Sequence, residues 1–223
     1  MRIALPSGTG AEIAYPAGHG AGEPSEVGLV VVPDIGGLRP LFDEHVARLA
    51  DEQGWTVCAF DLWAGREGLS TLEERLAVAG SLEDERVLGD AIAAADATGA
   101  ARVGLIGFCI GGMYALKAAG TGRFDRVASF YGMVRVPDMW RSATQGEPLD
   151  ALASPRRCPT LAIVGTADPW VPADDVEALE GAGVEVVRYE GAEHGFVHDP
   201  DRPAHRPDDA ADAWRRVIAH LRG

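Results

Sequence analysis

The sequence predicts an α/β fold, a mostly parallel, doubly wound sheet with helices on both faces. Three observations predict it. Short continuously apolar runs recur along the chain, segments of helical period lie between them, and chemistry-bearing residues fall just past the C-terminal ends of several runs. Runs that are apolar at successive positions suit strands buried on both faces of a parallel sheet. Strand alternating with helix gives crossover connections that cover both faces.

Taken in order, residues 1–26 carry two alternating stretches, Arg2–Leu5 and Glu12–Tyr15, around Ser7-Gly8-Thr9-Gly10, with the loop Pro16–Pro24 behind them. This pattern reads as an N-terminal hairpin. The buried-strand runs are Gly28–Val32, Thr56–Phe60, Arg102–Ile106, Val127–Tyr131, Thr160–Val164 and Val184–Tyr189. Leu41, His45, Val46 and Leu49 form one helical stripe, and Leu82, Val87, Leu88, Ala91 and Ile92 form a looser one ahead of Gly99. A last helix starts at Pro207-Asp208-Asp209 and carries Ala211, Trp214, Val217, Ile218 and Leu221 at three- and four-residue steps. No repeat, linker or low-complexity tract divides residues 1–223, so a single domain is expected.

Composition narrows the function classes. With 47% apolar and 24% charged residues the chain reads as an ordinary globular domain. A net charge of -14 disfavours nucleic acid and anionic membrane surfaces, which need a basic face to replace their counterions. The N-terminus lacks the apolar core of a signal peptide, and no run approaches the length that spans a bilayer, so a cytoplasmic protein is expected, monomeric or a small homo-oligomer. Cys58, Cys109 and Cys158 lie far apart without a CxxC pair, which suggests neither a disulfide framework nor a zinc site. His194 and His198 are four apart, but the Gly/Pro/Asp-rich sequence around them indicates a loop and no metal site. No Walker or flavin fingerprint is present, and no cofactor is expected.

The most informative segment is Val103-Gly104-Leu105-Ile106-Gly107-Phe108-Cys109-Ile110-Gly111-Gly112-Met113. Here a buried-strand run passes straight into a helix-forming run, with a G-x-C-x-G pivot. A strand that turns this sharply strains its pivot residue, and glycine two positions either side leaves it room. The pivot thiol then stands above the sheet at a helix N-terminus, where the dipole favours a thiolate. With 28 glycines the pattern arises by chance roughly 0.15 times, so the flanking strand and helix carry the identification. A buried structural cysteine or a phosphate-binding turn remains the alternative.

A nucleophile needs a base and a group that orients the base. Leu161–Gly165 is a buried strand followed by Thr166-Ala167-Asp168-Pro169, and Val186–Tyr189 is a strand followed by Glu190-Gly191-Ala192-Glu193-His194. Nucleophile, acid, histidine is the chain order of α/β-hydrolases. Taken singly, Asp168 could initiate a turn and His194 could be a surface-loop residue.

These segments resemble the dienelactone hydrolase family of the α/β-hydrolase superfamily. The resemblance rests on Gly107-Phe108-Cys109-Ile110-Gly111-Gly112, on Gly165-Thr166-Ala167-Asp168-Pro169-Trp170-Val171-Pro172 and on Gly191-Ala192-Glu193-His194-Gly195-Phe196, with weaker support from Phe60-Asp61-Leu62-Trp63, Phe130-Tyr131-Gly132, Asp201-Arg202-Pro203 and Asp212-Ala213-Trp214. It implies a Cys109–His194–Asp168 triad that cleaves a small ester or lactone through an acyl-enzyme. It also implies an oxyanion hole from the N–H groups of Ile110 and Ile35. Where the family carries a glutamate that accepts the resting thiol's proton, this chain has Asp34, one methylene shorter; a helix-capping role is the alternative. The best-known members hold a substrate carboxylate with two arginines, for which Arg202 and Arg75 or Arg66 are the candidates. Fewer than two arginines near Cys109 would argue against a dianionic dienelactone substrate. Tyr131 and Trp63 are candidates to line the pocket. The same triad could serve a thioesterase, acyltransferase or peptidase, and the same fold could be a non-catalytic receptor that binds a small ligand or senses oxidation through Cys109.

Overall fold

The structure, a computed structural model, describes residues 1–21, 23, 25–66 and 68–223. Pro24, the end of the expected N-terminal loop, lies outside the described residues. β1 (Arg2–Ala4) and β2 (Gly10–Ala14) form the predicted antiparallel hairpin, with Ile3 opposite Ala11. β3 (Val27–Val32), α1 (Pro40–Gln53), β4 (Thr56–Phe60), α2 (Leu72–Val78), α3 (Asp84–Ala97) and β5 (Arg102–Phe108) follow. The second half runs α4 (Ile110–Ala119), β6 (Arg126–Phe130), α5 (Pro148–Leu152), β7 (Thr160–Gly165), α6 (Ala173–Gly181), β8 (Glu185–Tyr189) and α7 (Pro207–Arg222).

The sheet has the order β1-β2-β4-β3-β5-β6-β7-β8, and every pairing from β4 onward is parallel. The order turns back at β3, whose neighbours are β4 on one side and β5 on the other. Strand order reverses there, which is where open α/β sheets form a crevice beyond the carboxyl ends of the strands. Val32, the last residue of β3, is in register with Gly107 of β5. The loops carrying Asp34-Ile35 and Cys109 therefore leave adjacent, paired strands.

The continuous apolar runs have the physical cause expected of them. In β3, Val30 and Val32 face one core with residues of α3 and α4, while Leu29 and Val31 face a second core with residues of α1 and α7. Burying each such side chain contributes about 1.5–3 kcal/mol, so both faces select apolar residues. Leu82, placed in a helical stripe by its period, is fully buried but precedes α3, which starts at Asp84. Its period continues the stripe, but its backbone is extended, between a short 3-10 helix (Ala79–Ser81) and α3. α2 buries no residue completely and is fixed at its start by Thr71 and Glu74, each side chain bonding the other's backbone N–H. Among the described residues no helix is long and apolar enough to cross a membrane.

Candidate active site

Cys109 sits between β5 and α4 at φ 56°, ψ -120°, a conformation that side chains rarely adopt. The neighbouring glycines are required sterically. A Cβ on Gly107 would run into the Gly111 carbonyl, one on Gly111 into the carbonyls of Val32 and Pro33, and one on Gly112 would lie 2.8 Å from the Gly132 Cα. The elbow is anchored to the sheet by Cys109 N–H donating to the Phe130 carbonyl at 3.1 Å. Ile110 is the first residue of α4, so its N–H has no partner within the helix.

His194 and Asp168 meet beside this thiol. Asp168 follows β7 directly and His194 follows β8, neighbouring parallel strands. Asp168 Oδ2 lies 2.8 Å from His194 Nδ1, and Asp168 Oδ1 accepts the Trp170 N–H at 2.8 Å. The aspartate side chain is buried completely, so both its oxygens are spent on fixing one ring and one loop. His194 Nε2 is buried and makes no hydrogen bond among the described residues. Burial alone would lower the imidazole's pKa, but the charge at Cys109 and the Asp168 carboxylate outweigh it and push it up to about 9. Beside these two groups the ring takes up a proton more readily than a free imidazole.

The loop after β3 is fixed peptide by peptide. The Asp34 carbonyl accepts from Gly37 N–H at 2.9 Å, and the Ile35 carbonyl accepts from the Trp63 indole at 2.8 Å. Gly36 N–H donates to Asp34 Oδ1 at 2.8 Å, and the Gly36 carbonyl accepts from the Arg75 guanidinium. The Asp34 carboxylate also receives Arg39 at 2.5 and 3.0 Å and His198 Nε2 at 2.7 Å. Burial would raise its pKa, but His198 and Arg39 hold the carboxyl well below the usual carboxylate range. Burial lowers the His198 pKa, against the pull of the Asp34 carboxylate. With Nε2–H donating to Asp34, its Nδ1 accepts the Tyr131 hydroxyl at 2.5 Å.

A cavity of about 110 Å³ opens at Cys109, lined by Asp34, Ile35, Leu72, Leu76, Trp140, Trp170, His194 and Arg202. Trp140 and Trp170 stack with centroids 5.6 Å apart and planes 18° apart. Of the arginine candidates, Arg202 lines this cavity and lies over Gly195. Arg75 and Arg66 line a neighbouring cleft with Asp61 and Trp63, and Arg66 bonds the Ser81 carbonyl at 2.7 Å. Trp63 is therefore placed behind the Ile35 loop and outside the cavity at Cys109. Tyr131, expected to line the pocket, is fully buried with its ring edge-on to His194, centroids 5.2 Å apart. Its φ of 40° marks a second tight strand end, and its N–H donates to the Ile163 carbonyl at 2.7 Å.

Sequence reasoning passed over four contributors. Arg39 and His198 complete the Asp34 cluster, and the stacked Trp140 and Trp170 line the cavity. The four-residue spacing of His198 from His194 is its one signal in the sequence. Trp170 stood inside the Asp168 motif. Arg39 pairs with Asp34 only five residues before it, but no regular element fixes that spacing in the sequence, and the partners of Trp140 lie far along the chain.

The model of the dienelactone hydrolase family matches residues 14–223. The chain is 31% identical over 210 residues, 87% of this chain and 82% of the other, to the Bradyrhizobium sp. protein named "Probable 2-oxo-3-(5-oxofuran-2-ylidene)propanoate lactonase". It is 29% identical over 205 residues to the carboxymethylenebutenolidase of Rhodococcus opacus, covering 85% of this chain and 78% of that one. Its backbone superposes on the "Putative Dienelactone Hydrolase" of Klebsiella pneumoniae subsp. pneumoniae MGH 78578 with a TM-score of 0.83 and 25% identity, covering 99% of this chain and 97% of the other. The elbow, the strand-end acid and histidine and these similarities converge, and the chain belongs to the dienelactone hydrolase family.

Proposed function

We propose that this protein hydrolyses a small carboxylic ester or lactone, with Cys109 as nucleophile, His194 as general acid and base, and Asp168 orienting the imidazole. The observation that carries the reading is the His194 ring, bonded to Asp168 through Nδ1 and presenting its buried, unpaired Nε2 in the cavity that holds Cys109. The sulfur attacks the ester or lactone carbonyl, and the N–H groups of Ile110 and Ile35 receive the oxyanion. His194 delivers its proton to the leaving oxygen, and then takes one from the water that cleaves the thioester, regenerating the thiolate and the imidazolium.

The cavity supports a small substrate. Its volume of about 110 Å³ and its Trp140, Trp170, Leu72 and Leu76 walls suit a short planar acyl group better than a long chain. Arg202 is the arginine candidate that lines it, placed to meet a substrate carboxylate. This arrangement speaks against a carboxylate clamped by Arg202 and Arg75 together, because Arg75 faces the neighbouring cleft. The similarity to proteins named carboxymethylenebutenolidase and furanylidene-propanoate lactonase points to an enol-lactone as the first substrate to try.

The test is turnover of p-nitrophenyl acetate and of a small enol-lactone by the wild type, Cys109→Ala and Cys109→Ser. Loss of hydrolysis in Cys109→Ala, with a thioester adduct trapped on the wild type by mass spectrometry, is the expected result. Equal rates in wild type and Cys109→Ala would remove the nucleophile assignment.

A further inference from the structure

We infer that the Asp34 carboxylate, with Trp63 and Arg75, is a positioning device for the oxyanion-hole amide of Ile35, and that Asp34 acts on the loop instead of on the Cys109 thiol. The inference rests on the ester-hydrolysis reading above. It starts from three consecutive peptide groups. The 34–35 peptide is held by its carbonyl, which accepts from Gly37 N–H. The 35–36 peptide is held at both ends, its carbonyl by the Trp63 indole at 2.8 Å and its N–H by Asp34 Oδ1 at 2.8 Å. The 36–37 peptide is held by Arg75 at the carbonyl and by the Asp34 carbonyl at the N–H. Among the described residues no acceptor takes the Ile35 N–H, which belongs to the peptide that these bonds hold in place.

That pattern has a chemical meaning. A peptide that flips exchanges a donor for an acceptor, and a flip at 34–35 would turn a carbonyl toward the place where negative charge develops. Each hydrogen bond in the loop opposes that flip. Packing opposes it as well, since a Cβ on Gly37, at φ 66°, would lie 2.7 Å from the Trp63 ring, so indole and loop backbone are in contact. Preorganisation of this kind is what makes a hole donor effective, because no dipole has to reorient as the charge appears.

The Asp34 carboxylate is committed to this task. It is 3% exposed and receives Gly36 N–H, both Arg39 nitrogens and His198 Nε2. His198 passes the anchoring on to Tyr131, whose ring packs against His194. One buried carboxylate therefore ties the loop of the hole to the strand end beside the base. A carboxylate that shuttled a thiol proton would have to leave at least one of these donors unpaired, at a cost of about 1–3 kcal/mol.

The experiment compares wild type with Asp34→Asn, Trp63→Phe and Arg75→Gln in the full chain; Arg75 is only partly buried, so its variant is the one expected to fold where a buried one does not. Three readouts are taken: kcat and KM on p-nitrophenyl acetate, the pH dependence of Cys109 alkylation by iodoacetamide, and amide hydrogen exchange of residues 34–37. Alkylation uses the same sulfur but generates no oxyanion. We expect kcat to fall about 10- to 100-fold with KM within about threefold, consistent with partial loss of one hole donor. The alkylation profile stays at that of the wild type, and Gly36 and Gly37 exchange faster than the global stability of each variant, measured in parallel, accounts for. A shifted alkylation profile confined to Asp34→Asn overturns the inference in favour of control of the thiol proton. Wild-type kcat and wild-type exchange in all three variants overturn it too. Should the wild type alkylate normally yet hydrolyse no ester, the ester reading fails by itself, and the exchange rates of Gly36 and Gly37 still decide for or against the loop.

Discussion

His198 Nε2 stands 2.7 Å from Asp34 Oδ2, a buried imidazole–carboxylate pair built beside the Asp168–His194 pair and bonded on its far side to Tyr131 instead of facing a thiol. Removing the imidazole leaves one acceptor short of its donor and one hydroxyl without its acceptor. His198→Leu is therefore expected to lose about 2–3 kcal/mol of stability by urea denaturation. Tyr131→Phe, which frees only the Nδ1 lone pair, is expected to lose about half of that. Equal losses in the two variants would show that the Asp34 side of the pair contributes nothing.

Asp168→Asn keeps an oxygen for the Trp170 N–H but replaces the charge at His194 Nδ1. The fold should survive, and kcat on p-nitrophenyl acetate should drop about 10³- to 10⁴-fold through the wrong tautomer and the loss of imidazolium stabilisation. Retained kcat would mean that the acid does not orient the base.

The elbow glycines admit no side chain. Gly107→Ala and Gly111→Ala each push a methyl into backbone that cannot move without breaking the pairing of β5, so each should cost about 3 kcal/mol or more and leave little soluble protein. Gly181→Ala, where a Cβ meets nothing within 4 Å, serves as the control and should melt with the wild type.

His45 is held neutral by burial, its pKa pushed down to about 4 although its Nε2 meets the His198 carbonyl at 2.7 Å. The sign follows from which state takes the proton. Between pH 6.5 and about 4 the unfolded chain binds a proton that the native ring refuses, so stability falls as pH falls through that window. The slope from this residue is about 1.4 kcal/mol per pH unit. Denaturation curves at pH 7 and pH 5 should show the loss, and His45→Gln should reduce it; an unchanged slope would place the proton elsewhere.

Trp170→Ala should enlarge the cavity at Cys109 and raise kcat/KM for p-nitrophenyl octanoate relative to the acetate about tenfold. No change in that ratio would show that the stacked indoles do not limit acyl length.

Most of this fold was legible because burial on both faces writes itself into the sequence as unbroken apolar runs. β4 matched its run residue for residue, and the elbow was readable because a close approach of backbone to backbone leaves glycine as its trace. Asp168 and His194 were legible through their places after strands. His198 and Trp140 were not, since each works by reaching a group distant in the chain, and Arg39, whose partner Asp34 is only five residues away, was not because an irregular loop gives that spacing no meaning in the sequence. Trp63 and Tyr131 stand out in the sequence as aromatics near strand ends, but whether such a ring faces a substrate or braces a loop is decided by packing alone.

The in-register pairing of Val32 with Gly107 also bears on how the site withstands heat. Both amides proposed for the hole, Ile35 and Ile110, emerge three residues past that paired rung, one on each strand, so twisting of the sheet carries them together as a single rigid frame. Warming should therefore erode activity first through the loosely covered α2 wall, and insertions or fusions at the hairpin edge of the sheet should leave the spacing of the two donors untouched.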